Sequence, residues 1–401
     1  WLKEKYLQNG SKLIEVGSND GTLLENFKNS NVDVIGFEPS KSIAELANKK
    51  NVKTLNKFFN FQNLEDIKNF HSSVDVICSA NVIAHIPDLI DVIKSVDKLL
   101  SSKGLLIFEE PYLGSMFSKI SYDQIYDEHI FMFSVSSINK IFDLFDFELI
   151  DVLPQVTHGG SMRYVIGRKN KHKKSEKISK FLDEEQNKRL DTIESCLDFK
   201  KACELSKKMT IEKLNKFKSN NKRICGYAAT AKSTTVLNYC DIGTDLIDYI
   251  CDTTTEKIGK FSPGKHIPVV PMSHFKDNIP DIAFLFAWNH KEEIFLKEKE
   301  FKKNKKHGKG IYVWPDGRKY EGEYQKGEEH GQGIYKWPSG NSWQGEWENG
   351  KKDGVGTYNY SDGAKFTSDW HEGEWVKMTM VDFDEKNNEI KEIKNSKYTS
   401  S

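Results

Sequence analysis

Tyr126, Glu128 and His129 are the residues best placed by type and spacing to do chemistry: a phenol, a carboxyl and an imidazole within four positions. Such a cluster is costly to bury without purpose. An imidazole that titrates near neutral pH can accept a proton from a weakly acidic carbon, and a phenol and carboxyl beside it can orient the base or the substrate. His129 is the predicted base. His85, in the segment Ser79–Asp88, is the second candidate. A further polar run, His158-Gly-Gly-Ser-Met-Arg163, is read as substrate-binding through His158 and Arg163. Each of the three groups follows an apolar run that reads as a buried strand, so all three project at one edge of one sheet. A lone histidine in such a loop is more often structural; it is the clustering that points to function.

Two earlier loops must hold whatever this site acts with. Ile14-Glu-Val-Gly-Ser-Asn-Asp-Gly-Thr-Leu-Leu24 is a strand, a small polar loop and the start of a helical pattern, in which Gly17 and Gly21 remove side chains where a ligand approaches the backbone. Ile35-Gly-Phe-Glu-Pro-Ser40 ends a second strand, and its Glu38 stands 21 residues after Gly17. That spacing suits a nucleoside at the carboxyl ends of a doubly wound sheet, with the acid on the ribose hydroxyls. The three-glycine dinucleotide pattern and the Gly-Lys-Ser phosphate cradle are both absent. A sulfonium nucleoside has no pyrophosphate to hold, so the loops are read as an S-adenosylmethionine site. Its contact residues are Glu15, Gly17, Asn19, Asp20, Gly21, Glu38, Pro39 and, from the later loop, Asn81. On the first loop alone, a plain strand–turn–helix with a Gly–Asx turn competes with this reading.

The elements that position these loops follow from apolar periodicity. Strands are expected at Lys12–Val16, Val34–Phe37, Val74–Ser79, Leu105–Glu109, Leu149–Leu153 and Arg163–Gly167, alternating with helices up to about residue 170. This is a parallel α/β sheet, its last two strands able to form an antiparallel edge. Residues 171–221 read as one or two charged amphipathic helices with Ile178, Phe181, Leu182, Ile193, Cys196 and Leu197 at helical spacing. Residues 222–304 begin a second, smaller α/β unit. There Arg223-Ile-Cys-Gly-Tyr-Ala-Ala-Thr-Ala-Lys232 is strand, small-residue turn and helix, which offers backbone donors and Lys232 to an anionic group, with plain packing the competing reading.

From His307 the composition turns to Gly, Trp and Tyr. Three segments starting at His307, His330 and Asp353 align at a period of 23 residues. Each carries a Gly-x-Gly-x-Tyr core, a Pro-x-Gly or Ser-Asp-Gly turn and then paired aromatics: Tyr320 and Tyr324, Trp343 and Trp347, Phe366 and Trp370. Each copy reads as a β-hairpin that buries its aromatics only when stacked on its neighbours. The copies, residues 305–376, resemble MORN repeats. That resemblance implies a hairpin stack used for scaffolding or for contact with a lipid headgroup or a protein; a self-stabilising appendage is the alternative. The third copy departs from the pattern, with Thr367-Ser368 where the others have Glu-Gly and Gln-Gly. Residues 377–401 read as a polar, disordered tail.

Upstream of the repeats, the chain resembles the nucleotide-sugar C-methyltransferases. The residues that carry the likeness are Glu15-Val-Gly-Ser-Asn-Asp-Gly21, Glu38-Pro-Ser40, Asn81 to Asp88, Tyr126-Asp-Glu-His129, His158-Gly-Gly-Ser161, Gly226-Tyr-Ala-Ala-Thr-Ala-Lys232 and Ala287-Trp-Asn289. The resemblance implies a Rossmann-like domain over 1–170 dependent on S-adenosylmethionine, and methylation of a carbon next to the ketone of a nucleoside-diphosphate 4-keto-deoxysugar. It further implies that the unit 222–304 grips the nucleotide, with Tyr227, Lys232 and Asn289 as substrate contacts. Three departures stand out. The small Cys-rich zinc domain that usually opens such proteins is not in this sequence, so no metal is expected. Asp127 stands where histidine is common, and the repeats lie outside the family pattern.

Bulk properties narrow the classes. The 401 residues carry 59 Lys+Arg and 59 Asp+Glu, so no net field attracts nucleic acid. No apolar run approaches bilayer length and no leader pattern is present, which reads as cytoplasmic, although the sequence opens at Trp1 rather than Met. Six cysteines form no CxxC pair and read mainly as small buried hydrophobes. Two competing readings stay open: a degenerate methyltransferase scaffold whose working part is the repeat stack, and an O-methyltransferase on a related carbohydrate.

Overall fold

The computed structural model describes residues 1–298, 308–314, 316–325, 328–361, 363–382 and 391–393. The expected junction at 304/305 and most of the expected tail lie outside the described residues. The chain separates into two compact units, Trp1–Leu205 and Ser206–Ser401.

The first unit is built on seven strands: β1 (Lys12–Val16), β2 (Asp33–Phe37), β3 (Thr54–Leu55), β4 (Val74–Ala80), β5 (Leu100–Pro111), β6 (Phe147–Gln155) and β7 (Ser161–Arg168). Their order is β3-β2-β1-β4-β5-β7-β6. β1 to β5 run parallel, and β7 is antiparallel to both β5 and β6. The apolar runs are continuous because both faces are covered. Ile14, Ile35, Ile77 and Phe108 point into one core layer, while Leu13, Val76, Ile107 and Val165 point into the other. Each such side chain, fully buried, stabilises the fold by about 1.5–3 kcal/mol. The six expected strands and the antiparallel edge are present; the two-residue β3 carries too short a signal to read.

The helix Lys177–Asn187 joins this unit by packing Ile178, Phe181 and Leu182 on its core and through one carboxylate. Buried Glu185 accepts the Val135 and Ser136 amides at 2.7 and 2.8 Å and the Tyr112 hydroxyl at 2.9 Å. It thereby supplies acceptors to the amide end of the helix Val135–Asp143. The next helix, Ile193–Ser219, departs from expectation, since Ile193, Cys196 and Leu197 are exposed. The other five cysteines are buried, and no disulfide forms among the described residues. Among the described residues no helix is long and apolar enough to cross a membrane.

The second unit opens with a parallel sheet of β8 (Ile224–Tyr227), β9 (Tyr249–Asp252), β10 (Val269–Pro271) and β11 (Ile282–Leu285), in the order β10-β9-β8-β11. Strand order reverses beside β8: β9 and β10 extend to one side and β11 lies on the other. Eight antiparallel strands follow, each paired with the next: β12 (Gly308–Val313), β13 (Lys319–Gln325), β14 (Glu328–Lys336), β15 (Ser342–Glu348), β16 (Lys351–Asn359), β17 (Lys365–His371), β18 (Glu374–Asp382) and β19 (Lys391–Ile393). β18 and β19 fall where the sequence suggested a disordered tail, so strand pairing continues past the third copy.

The repeat period has a steric basis. Gly322 faces Gly333 and Gly345 faces Gly356 across paired strands. The Tyr320 ring lies over the first pair and the Trp343 ring over the second. A Cβ on Gly333 would sit 2.4 Å from Tyr320 Cζ, and one on Gly356 2.2 Å from Trp343 Cζ2. Both rings are fully buried as a result. Lys352 Nζ lies 4.4–5.2 Å from the Trp337, Trp343, Tyr358 and Trp370 ring centres, and it donates to Tyr358 Oη at 2.7 Å. Gly356→Val should displace the indole and destabilise the hairpin sheet by about 2–3 kcal/mol. Urea unfolding followed by tryptophan fluorescence reads this directly; an unchanged midpoint contradicts the packing account.

Candidate active site

At the carboxyl end of β1 the chain turns sharply. Gly17 and Gly21 have φ of +70° and +80°, and Asn19 has φ of +50°. The Gly17 and Ser18 amides donate to the Phe37 carbonyl at 2.9 and 3.0 Å, which ties this loop to the end of β2. A Cβ on Gly17 would meet Val82 Cγ2 at 2.4 Å, so only glycine lets the turn after β4 press against the loop. Glu38 closes the arrangement: Oε2 accepts the Asn19 amide at 3.1 Å and Oε1 the Ser40 amide at 2.8 Å. Each oxygen keeps a lone pair for a further donor such as a hydroxyl. Pro39 is exposed beside it.

Two acids of this region differ sharply. Asp20 accepts the Thr22 hydroxyl at 2.6 Å and pairs with Lys50 at 2.6 Å, and the Lys50 hydrogen bond first of all holds its carboxyl down at about 2. Both of its oxygens accept protein donors, and the carboxylate stays partly exposed in the loop. Glu15 is buried on β1; burial, reinforced by the Asp20 charge, pushes its carboxyl up to about 8. Glu15 Oε2 and Asn81 Oδ1 are both buried without a hydrogen-bond partner. Asn81 itself has φ of +56° and is anchored by its amide to the Glu109 carbonyl at 2.8 Å. A glycine-lined turn, an acid with spare acceptor capacity and two unsatisfied polar atoms fit a nucleoside with a charged amino-acid tail.

Beside this loop, the short turn Ile83–His85 carries His85, and residues 126–131 dock on it. The Ala84 carbonyl accepts the Ile130 and Phe131 amides at 3.0 and 3.2 Å. The His85 and His129 rings meet edge-on with centres 5.0 Å apart. His129 Nδ1 lies 2.8 Å from the Gln124 carbonyl, which can only accept, so the Nδ1 proton is fixed there. His129 Nε2 then faces Tyr126 Oη at 2.9 Å with its lone pair outward. Burial first, and then the charges of Glu128, Asp123 and Glu110, push the Tyr126 phenol up. Tyr126, His129 and His85 thus come together. Glu128 does not join them; it is exposed on the same turn and acts on Tyr126 only through its charge.

The remaining predicted residues divide. His158 sits at φ of +51° in the turn Thr157–Gly159. Arg163 is taken up by Glu109, its cross-strand neighbour, at 2.9 Å, and it covers the Trp1 ring at 4.7 Å. Arg163, read from the sequence as a substrate contact, thus has a carboxylate partner within the protein. A cross-strand carboxylate is invisible from local spacing. In the second unit a cavity of about 300 Å³ opens at the carboxyl ends of β8 and β9, lined among others by Tyr227, Asp252, Thr253, His290, Glu293 and Lys297. It lies where strand order reverses, a common place for ligands in α/β sheets. Tyr227 donates to Glu298 at 2.9 Å; buried Lys232 lies 5.5 Å over the Trp288 ring, and Lys232 and half-buried Asn289 are outside the lining. Asp252 was missed. It accepts the Ala229 and Thr254 amides at 2.6 and 2.7 Å, and these bonds outweigh the upward push of burial to lower its carboxyl.

Comparison with known proteins places this geometry in context. The model of a methyltransferase domain matches residues 2–152, that of the C-methyltransferase C-terminal domain matches 156–315, and that of the MORN repeat matches 320–342 and 343–365. The C-methyltransferase NovU of Streptomyces niveus is 30% identical over 313 residues, 78% of this chain and 74% of that protein. Among solved structures, an S-adenosylmethionine-dependent methyltransferase from Aquifex aeolicus is 15% identical over 41% of this chain and 86% of its own, with a TM-score of 0.33. A possible histamine N-methyltransferase from Thermotoga maritima is 21% identical over 42% of this chain and 86% of its own, with a TM-score of 0.34.

The raised carboxyl of Glu15 has a consequence for stability. The folded state holds a proton between about 4.5 and 8 that the unfolded chain has released, so its contribution is present below 4.5 and lost as pH rises through 8. Glu15→Gln should therefore stabilise the first unit at pH 9 relative to the unmodified protein, by a few kcal/mol, on the order of the linked shift, and much less at pH 5. Thermal unfolding of both proteins at the two pH values measures this. An equal difference at both values contradicts it.

Proposed function

Because this chain belongs to the C-methyltransferase family, whose members depend on S-adenosylmethionine, we propose that it methylates a carbon next to the ketone of a nucleoside-diphosphate 4-keto-deoxysugar. The observation that carries this reading is the fixed orientation of His129 beside the cofactor loop. A carbon becomes nucleophilic only when its acidic proton leaves, and that step needs a base with an available lone pair. The Gln124 carbonyl holds the Nδ1 proton, so Nε2 is the basic nitrogen. In the ligand-free protein Tyr126 Oη lies against it. With sugar bound, the hydroxyl turns to the ketone oxygen and stabilises the enolate charge, while Nε2 takes the proton. His85, in ring contact with His129, is the second candidate for that transfer.

S-adenosylmethionine supplies the electrophilic methyl carbon, activated by its sulfonium. Glu38 would hold the ribose hydroxyls, and Glu15, Gly17, Asn19 and Gly21, with Asn81 from the turn after β4, would line the rest of the cofactor site. The turn Ile83–His85, pressed against Gly17 through Val82, brings base and methyl donor to the same sheet edge, where proximity lowers the barrier. In this reading residues 1–170 carry the chemistry, 171–221 connect, 222–304 hold the nucleotide in the cavity beside Asp252, and the repeats over 305–376 are a docking module for a lipid headgroup or a protein.

His129→Asn should abolish methyl transfer while leaving cofactor affinity within about twofold by titration calorimetry; full activity in the variant rejects His129 as base. Glu38→Ala should weaken cofactor binding by about 1–3 kcal/mol, and an unchanged dissociation constant contradicts the ribose contact. The function itself is tested by labelled methyl transfer onto a panel of 4-keto sugar nucleotides, with NMR of the product. A new carbon–carbon bond supports the proposal. A methyl on oxygen, or no transfer to any keto sugar, refutes it.

A further inference from the structure

Glu110, on β5, is a fully buried carboxyl that the chemistry above does not use. Its neighbour Glu109 pairs with Arg163 on the opposite face of the sheet. Glu110 points the other way, and its Oε1 accepts three consecutive backbone amides: Val82 at 2.9 Å, Ile83 at 2.7 Å and Ala84 at 3.2 Å. Oε2 is buried without a hydrogen-bond partner. A carboxyl in this position is expensive: burial pushes it up to about 7 in spite of the three amides.

Those three residues form the junction of the whole site. Val82 presses on Gly17 of the cofactor loop. Ala84 precedes His85, and its carbonyl receives the Ile130 and Phe131 amides directly after His129. The edge-on contact of the two imidazoles therefore rests on a turn whose amide side is held by one acceptor atom. We propose that Glu110 is a positioning residue of the proton-abstracting site: its carboxyl clamps the Val82–Ala84 turn, and through that turn sets the distance between His85 and His129. The claim rests on the reading of His129 as base, but its geometric part does not need the sugar substrate.

The test uses the full chain with 15N-labelled histidine, as E110A and E110D. Alanine removes the acceptor; aspartate retracts it by one methylene, and serves where alanine does not fold. Without substrate, the unmodified protein should show a single His129 tautomer with its proton on Nδ1. In E110D, and more strongly in E110A, the His129 and His85 ring resonances should shift and average. With substrate, kcat should fall about tenfold in E110D and a hundredfold or more in E110A, while the S-adenosylmethionine dissociation constant stays within threefold. E110Q, which keeps a neutral acceptor, should restore most of the E110A loss. A purely structural role would lower the melting temperature and leave the tautomer of the folded variants intact. Unchanged ring resonances in folded E110A or E110D overturn the proposal. A failure of all methyl transfer in the unmodified protein would instead count against the proposed reaction, and the ring resonances would still decide the role of Glu110.

Discussion

One carbonyl oxygen, that of Ala84, joins the two halves of the site. It accepts the amides of Ile130 and Phe131, and so fixes a loop from beyond β5 onto the turn after β4. That pair of bonds sets His129 5.0 Å from His85, while the Gln124 carbonyl and the turn from Tyr126 to His129 hold the phenol against Nε2. Buried backbone groups must find partners, and here the partners come from segments more than forty residues apart. The same turn leans on Gly17 through Val82, where any side chain larger than hydrogen would collide. Loop, turn and docked segment therefore occupy one edge of the sheet as a consequence of packing.

Much of this was legible in the sequence because it is local. Gly17, Gly21 and Glu38 lie in strand–loop–helix units, and their left-handed turns and strand-end acid are written in a dozen residues each. The cluster at 126–129 was legible as a density of titratable groups, and the repeats as a period. What stayed hidden is long-range. Glu110 looks like one half of a Glu-Glu pair in a strand; its three amide partners are 26 to 28 residues away. Arg163 was read at the start of a strand that closes a polar run, and only cross-strand register sets Glu109 beside it. Lys50, too far along the chain to be read with Asp20, is its ion-pair partner. Two- and three-residue strands such as β3 and β10 carry too few side chains to show a pattern.

The repeat sheet follows a different logic from the α/β sheets. Its stability comes from single rings laid flat over facing glycines, so the glycines act through the space they leave. Tyr320 over Gly322–Gly333 and Trp343 over Gly345–Gly356 are the same device one period apart. β18 then pairs with the third copy, which covers an edge that would otherwise present unpaired backbone groups.

The central claim is that His129 removes a proton from the carbon that will be methylated. Washout of deuterium from that carbon of a 4-keto sugar nucleotide, followed by NMR in ordinary water without methyl donor, tests it most directly. The account predicts enzyme-dependent loss of the label. Label retained at the background rate, in a protein that still methylates the sugar, would contradict it.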